Sequence, residues 1–177
     1  MGSRITLLVA AFAVAALPIP AGAVQEFYVG EPVVKEGMQI VPNYLTGVQM
    51  DSMPKGMEMG GKDNVHLEAD VHATAGDKHG FQEDQWIPYL TIHFTLTKDG
   101  DAAFRKTGVL APMIAKDGTH YANNVNMAGP GTYHLTYRIE PPSSNGFIRH
   151  VDAASGVPAW WKPVTASWTF SYPSKTK

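Results

Sequence analysis

One segment of the sequence places an imidazole and a carboxylate on the same face of a predicted strand. Apolar and polar residues alternate from Val65 to His72, which is typical of a β-strand with one buried face. His66 and Glu68 are two residues apart, so their side chains leave the same face about 7 Å apart. This spacing suits two ligands of one metal ion. It is equally typical of a solvated strand face, and both interpretations stay open at this point.

A thioether and an imidazole flank a predicted turn further along the chain. Met113 precedes Lys116-Asp117-Gly118 and His120 follows it, so a hairpin here would bring the two side chains together. The alternative is a core methionine beside a histidine at a strand start. His150 is a third candidate, because it lies in a predicted loop and loops often display functional side chains. Taken alone, His150 is weak evidence for a metal site.

Four methionines, Met50, Met53, Met57 and Met59, lie close together in an irregular, glycine-rich segment. Thioethers suit the capture of Cu(I) in an oxidising compartment. They suit adaptable packing at a subunit interface equally well, because methionine is unbranched and flexible. The sequence leaves both roles open.

Composition limits the chemistry that these side chains share. The chain has 177 residues, no cysteine and a formal net charge of −2, from 14 basic and 16 acidic residues. Without cysteine there are no disulfides, iron–sulfur clusters or thiolate metal sites. Without a basic excess or a known motif, nucleic-acid binding is not expected. Any metal must therefore be held by His, Met, Asp and Glu.

The first 23 residues have the pattern of a secretory leader. Arg4 is followed by an apolar stretch from Ile5 to Leu17, and Ala21-Gly22-Ala23 forms a small-residue cleavage site. The stretch is shorter than the roughly 20 residues that cross a bilayer as a helix. We therefore predict a signal peptide over residues 1–23, cleaved after Ala23, and an exported periplasmic domain over residues 24–177.

Alternation of apolar and polar residues predicts an all-β fold. Besides the segment around His66, it recurs from Tyr89 to Leu96, from Tyr133 to Ile139 and from Ser167 to Tyr172. Turn signals such as Lys98-Asp99-Gly100-Asp101 separate these runs, and helical periodicity is nearly absent. Short strands joined in this way predict a single immunoglobulin-like antiparallel β-sandwich.

Several separated blocks resemble one family along essentially the whole exported chain. This family comprises the periplasmic, iron-regulated copper-binding proteins that accompany a ferrous iron/lead permease and are known as iron transporters. Blocks in the same order are more specific than any one of them. They are Gly30-Glu31-Pro32, Asn64 to Ala73, Trp86 to Ile92, Met113 with His120-Tyr121, and Gly146 to Asp152.

The resemblance implies an immunoglobulin-like homodimer with one copper site per subunit, at or close to the dimer contact. Carried over position by position, it implies that His66, Met113, His120 and His150 bind copper and that Glu68 lies near or on the metal. An inner-membrane iron permease is the implied partner. Apart from the resemblance, the carboxylate donor leaves iron or manganese open as the occupant of an adjacent site. His93 and His134 depart from the family pattern, and from their positions we expect exposed cross-strand histidines.

The donor chemistry agrees with the implied site. Three imidazoles and a thioether accept copper in both oxidation states, and a carboxylate favours Cu(II), iron or manganese. Asp70 and Asp152 are candidate acceptors for the remaining imidazole N–H groups. Since protons compete for imidazoles, we expect copper affinity to fall below about pH 6.5.

The function expected from the sequence is a non-enzymatic copper-binding protein that delivers iron to the permease or sets its redox state. A ferroxidase-like or reductive role stays open. Two alternatives also stay open: a copper chaperone or resistance protein that uses the methionine-rich segment, and an adhesion or interaction module that binds no metal.

Overall fold

The computed structural model describes residues 24–52, 56–58 and 60–175, and within them the chain is nearly all β, as predicted. The predicted leader over residues 1–23 lies outside the described residues, as do Met53 and Met59. In the described part, no helix has the length and apolar character needed to cross a membrane. The strands are β1 (Gln25–Tyr28), β2 (Val33–Lys35), β3 (Met38–Thr46), β4 (Asn64–Ala73), β5 (Thr91–Lys98), β6 (Asp101–Ala115), β7 (Gly118–Asn126), β8 (Gly131–Glu140) and β9 (Val164–Tyr172).

All strand pairs are antiparallel and belong to one curled sheet in the order β1-β3-β4-β7-β6-β5-β8-β9, with β2 also paired to β3. The 15-residue strand β6 joins the two halves of this sheet. Its first part, up to Leu110, pairs with β5, and its last five residues pair with β7. The all-β antiparallel class is therefore confirmed, whereas the immunoglobulin-like sandwich stays a prediction.

The core lies between the two halves of the curled sheet, and alternation correctly predicts which side chains enter it. On β5 the buried residues are Ile92, Phe94 and Leu96, and on β8 every second residue from Tyr133 to Ile139 is buried. The hydroxyl of Tyr137 crosses the core and donates a 3.0 Å hydrogen bond to the carbonyl oxygen of Glu68. The second half of the sheet thus supports the strand that carries two candidate ligands.

Strand β4 departs from the expected half-buried pattern. Its apolar face, which includes Leu67 and Ala69, is buried as predicted, but His66 and Glu68 on the opposite face are buried too, with exposed fractions of 3% and 7%. The connection from β3 to β4 explains this burial, because residues 48–52 line the same pocket as His66 and Glu68. A polar face that is covered in this way is unlike a solvated sheet surface.

The predicted hairpin around Gly118 is confirmed. Ala115 and Gly118 are partners across a two-residue loop, and Gly118 has φ +141°, which favours glycine. The register of the hairpin makes Met113 the direct cross-strand partner of His120. The thioether and the imidazole therefore leave neighbouring strands on the same face of the sheet.

Candidate metal centre

Three neighbouring strands place the candidate ligands on one face of the sheet. β4 carries His66 and Glu68 on this face, β7 carries His120, and β6 carries Met113 opposite His120. Because side chains alternate along a strand, the register of these pairs keeps all four on the side away from the core. Sheet register is therefore what gathers residues that are far apart in the sequence.

The nitrogen and oxygen donors of this face come close enough to bind one ion. One donor atom each of His66, Glu68 and His120 lies within 4.8 Å of the others. His120 Nε2 is 3.9 Å from Glu68 Oε2, and the two imidazole rings lie edge to face with centroids 5.8 Å apart. Donors about 2 Å from a shared ion lie roughly 3–4 Å apart, so small side-chain movements would complete the coordination.

Asn124 fixes the orientation of the His66 ring. These residues are partners across β4 and β7, and His66 Nδ1 lies 2.8 Å from Asn124 Oδ1. An amide oxygen accepts hydrogen bonds, so Nδ1 must carry the proton. Nε2 of His66 is then left with a free lone pair for a metal ion. The acceptor is an amide here, whereas the sequence suggested carboxylates.

Burial keeps both imidazoles neutral near neutral pH. Burial lowers the pKa of His66, although the hydrogen bond that His66 donates to Asn124 acts in the opposite direction. Burial also lowers the pKa of His120, although the nearby carboxylates of Asp70 and Asp117 act to raise it. A neutral imidazole is the form that binds metal. Proton competition for copper should therefore begin at a lower pH than the ordinary histidine pKa of about 6.5 predicts.

Glu68 is protonated at neutral pH in the metal-free protein. Burial, followed by the charge and hydrogen bond of Asp70, raises the pKa of Glu68 to about 9. A carboxylic acid in this state is a poor metal ligand, whereas its anion is a good one. A cation that enters the site has to displace this proton, so Glu68 couples metal binding to proton release.

A pocket of about 770 Å³ opens directly above these side chains. His66, Glu68, Met113 and His120 all line it, and Met50 from the connection between β3 and β4 lines it as well. The pocket thus contains two thioethers together with the imidazole and carboxylate donors. Soft and borderline donors in one pocket suit copper in both oxidation states.

A second pocket, of about 360 Å³, adjoins the first and is acidic. Glu68 and His120 line both pockets, while Glu26, Asp70 and His72 line only the second. Asp117, in the loop of the β6–β7 hairpin, lines both. Carboxylate oxygens are the donors that harder ions prefer. The face therefore has a side with imidazole and thioether donors next to a side with oxygen donors.

His150 lies apart from the other predicted ligands within one chain. Its side chain is 74% exposed in the connection between β8 and β9, and its Nδ1 lies 2.8 Å from Ser155 Oγ. Asp152, the acceptor suggested by the sequence, is 3.8 Å away. His150 does not line either of the two pockets. The structure thus brings four of the five predicted residues together and leaves the role of His150 a prediction.

Three further histidines have local partners. His93 Nε2 lies 3.4 Å from Glu140, and His134 Nε2 lies 2.7 Å from Asp99, both on exposed parts of the sheet as expected. His79 stacks on Trp160, with ring centroids 5.2 Å apart. These contacts account for the three side chains without a metal ion.

Three polar residues of the site were missed by the analysis of the sequence alone. Asn124 and Asp117 flank His120, and Asn43 is the cross-strand partner of Glu68. Alternation along β7 places His120 and Asn124 on the same face, so part of this signal was present. The pairing of β7 with β4 could not be predicted locally, because it joins residues that are 52 to 62 positions apart in the sequence.

The fold and the site define an antiparallel β protein with a candidate metal centre of His, Glu and Met side chains on one face of its sheet. Comparison with known proteins then assigns the family. The model of the family described as Fe2+ transport protein matches residues 23–174, and the chain belongs to this family. The family predicted from the sequence blocks is thereby confirmed.

Individual relatives agree with this assignment. A UPF0423 protein of Brucella abortus is 43% identical over 152 residues, which cover 84% of this chain and 82% of the relative. A copper-bound variant of FetP from uropathogenic Escherichia coli is similar in structure, with TM-score 0.77 and 44% identity over 85% of this chain and 99% of that one. Copper-reconstituted P19 from Campylobacter jejuni has TM-score 0.76 and 39% identity, over 86% and 99% of the chains.

Proposed function

We propose that this protein is a periplasmic copper-binding protein that supports iron uptake, delivering iron to an inner-membrane permease or setting its redox state. The observation that carries the proposal is the convergence of His66, Glu68 and His120 within 4.8 Å, beside Met113, in a member of the Fe2+ transport protein family. Export through cleavage of residues 1–23 is part of the proposal. The expression of FetP in the periplasm of Escherichia coli supports this location.

Copper is the resident metal that fits these residues. His66 offers Nε2 because Asn124 occupies Nδ1, and His120 faces the thioether of Met113 across the hairpin. Copper bound here would supply a centre that accepts or donates one electron. The protein side chains would hold it in a largely buried position, since His66 and Glu68 are nearly fully buried. We propose a binding and redox role of this kind rather than turnover of an organic substrate.

Iron is proposed as cargo in the acidic pocket beside the copper site, with manganese as a chemically similar occupant. Glu68 borders both pockets, and Glu26, Asp70 and Asp117 supply further carboxylates on the oxygen-rich side. The ferrous ion prefers such oxygen and imidazole donors over thioethers. This arrangement supports two cations that share Glu68, so that the charge of one affects the binding of the other.

A homodimer would supply the missing ligand. His150 is exposed and is flanked by Ile148 and Val151, which are 87% and 74% exposed, and Ile114 at the edge of the larger pocket is 79% exposed. Exposed apolar side chains beside an incomplete site are typical of an interaction surface. We propose that a second copy packs these side chains together and brings its His150 to the site formed by His66, Met113 and His120.

Mixed dimers test this arrangement directly. If His150 acts on the other subunit, copies carrying His66→Ala and copies carrying His150→Ala would together form one intact copper site per mixed dimer. If it acts within its own subunit, the mixed dimer would have none. Copper stoichiometry and the spectrum of the mixed dimer, measured against each parental homodimer, distinguish the two cases. Loss of all tight copper binding in the mixed dimer would refute the proposed arrangement.

Titration calorimetry with Cu(II) tests the copper site itself. We expect affinity at least in the micromolar range for the metal-free protein, and a large loss in His120→Ala. The exposed, separately paired His134 provides the matched control, and His134→Ala should bind like the wild type. Weak binding that His120→Ala leaves unchanged would refute a copper role for this face.

A copper chaperone or resistance role is the second candidate, and one observation favours it. Met50 from the methionine-rich segment lines the pocket above the imidazoles, where it could pass Cu(I) to the site. Growth distinguishes the two functions. A deletion strain should grow poorly under iron starvation if the protein serves iron uptake, and poorly under copper excess if it serves copper resistance.

The immunoglobulin-like classification is also a proposal. Both halves of the curled sheet contribute to one core, and Tyr44 of β3 packs against Phe170 of β9 with ring centroids 6.2 Å apart. Two antiparallel layers facing each other across a core support a sandwich. An experimental structure in which the two layers cross at a steep angle would assign a different all-β architecture.

A further inference from the structure

Asn43 carries a buried side-chain amide and is not among the metal ligands proposed above. It lies on β3 as the direct cross-strand partner of Glu68, and its exposed fraction is 0%. Since the pairing aligns the two residues, their side chains leave the sheet on the same face, which is the face of the metal centre. Asn43 is therefore placed beside the residue that borders both pockets.

The nitrogen and the oxygen of the Asn43 side-chain amide differ in their hydrogen bonding. Nδ2 donates a 3.3 Å hydrogen bond to Asp70 Oδ2, which holds one carboxylate of the acidic pocket in place. Oδ1 is buried and has no hydrogen-bond partner among the described residues. A buried acceptor without a partner lowers the stability of the folded state, so its presence calls for a compensating contact. Asn43 itself lines neither of the two pockets, so the compensating contact is its hydrogen bond to Asp70, which lines the acidic one.

The type of side chain also matters at this position. Glu26, Glu68, Asp70 and Asp117 already line the acidic pocket. Another carboxylate on this face would add to the mutual repulsion that raises the pKa of Glu68. An amide donates a hydrogen bond to Asp70 without adding a further negative charge. Asn43 is thus suited to assist a divalent cation while limiting the charge of the metal-free site.

We propose that Asn43 is a positioning residue for the cation in the acidic pocket. Its Nδ2 holds Asp70, which lines that pocket, in the orientation that faces a divalent cation of the ferrous class. The inference rests on the proposed oxygen-rich site and extends it to a residue on a different strand. It makes the selectivity of that site depend on β3, whereas His66, Met113 and His120 lie on β4, β6 and β7, respectively.

The test compares two metals on the same variants of the full exported chain. Mn²⁺ serves as an air-stable probe for the oxygen-rich site, measured from the electron paramagnetic resonance signal of free Mn²⁺, and Cu(II) is measured by competition with a chelator. We expect Asn43→Leu to weaken Mn²⁺ binding about tenfold or more, as is typical when a supporting contact of a metal ligand is lost. Cu(II) affinity should stay within about twofold.

Matched variants separate this role from a purely structural one. Gln39→Leu changes an exposed amide on the same strand and should leave both affinities unchanged. Asn43→Asp keeps the size of the side chain but cannot donate a hydrogen bond to Asp70, so it should also weaken Mn²⁺ binding. Equal loss of both metals in Asn43→Leu, or unchanged Mn²⁺ binding, would overturn the inference. If Asn43→Leu does not fold, Mn²⁺ binding by Asn43→Asp as tight as that of the wild type would overturn it.

A different result is expected if the proposed oxygen-rich metal site does not exist. A wild-type protein that binds Cu(II) but shows no Mn²⁺ binding would refute the oxygen-rich site itself, and with it any role for Asn43 there. A wild-type protein that binds Mn²⁺ with an affinity that Asn43→Leu does not alter leaves the site in place and refutes only the role of Asn43.

Discussion

Metal binding to this protein should release a proton that comes from Glu68. With the pKa of Glu68 raised to about 9, its carboxyl is mostly protonated at pH 7.5 in the metal-free state. The pKa values of His66 and His120 are lowered from 6.5, so each imidazole is less than about one-tenth protonated at that pH. A cation that binds Glu68 as an anion therefore releases close to one proton.

The number of protons is measured by titrating Cu(II) into metal-free protein in a weakly buffered solution that contains a pH indicator. Calorimetry in two buffers with different ionisation enthalpies gives an independent value. The Glu68→Gln variant keeps the size of the side chain and removes the proton, so its release should be lower than that of the wild type by about one proton per copper. Water bound to copper contributes equally to both proteins and cancels in the difference.

The pH dependence of this proton release provides a second test. The difference between wild type and Glu68→Gln should decline as the pH approaches about 9, because Glu68 then loses its proton before metal is added. A wild-type release below about 0.2 protons per copper at pH 7.5, or equal release by the two proteins, would refute the coupling. It would show that Glu68 is already ionised in the metal-free site or that the metal binds elsewhere.

Three further predictions concern the neighbouring side chains. Asn124→Ala should lower Cu(II) affinity by about 10- to 100-fold in a chelator competition, since it removes the acceptor that orients His66, whereas Asn123→Ala on the same strand should not. Met113→Leu should weaken Cu(I) binding more than Cu(II) binding, because a thioether is a soft ligand; equal losses would contradict its place at the metal. Because the folded-state pKa of Glu68 lies above its ordinary value of 4.5, the folded state binds the extra proton, and the contribution of Glu68 to stability falls as the pH rises from about 4.5 to about 9. Urea unfolding of the metal-free protein at pH 6 and pH 8.5 should show this decline in the wild type and a smaller one in Glu68→Gln.

Local pattern was enough to predict the strands and one hairpin. Alternation identifies the apolar face of β4 and the buried residues of β5 and β8, since each strand's period is a local property. The turn residues before Gly118 fix the two-residue loop that pairs Met113 with His120. These features require only nearby residues, and the structure confirms them.

The electrostatic character of the site could not be predicted in the same way. The burial of His66 and Glu68 depends on a connecting segment that folds over the outer face of β4. The orientation of His66 depends on Asn124, which reaches it only through the pairing of β4 with β7. Both are properties of tertiary structure. The sequence pattern of this strand face is typical of a solvated surface. Because of its tertiary surroundings, the carboxyl group of Glu68 on this face instead keeps its proton at neutral pH.

The shared strand β6 also affects how the molecule unfolds. Because its first part belongs to one half of the sheet and its last five residues to the other, neither half has a complete set of backbone partners without it. We expect a single cooperative melting transition rather than two. An ion bound at Met113 would then raise the melting temperature of the entire domain, by the equivalent of about 2.7 kcal/mol at a free concentration 100 times its dissociation constant. Trp168, in the far half of the sheet, would report that ion through the shift in its thermal fluorescence curve.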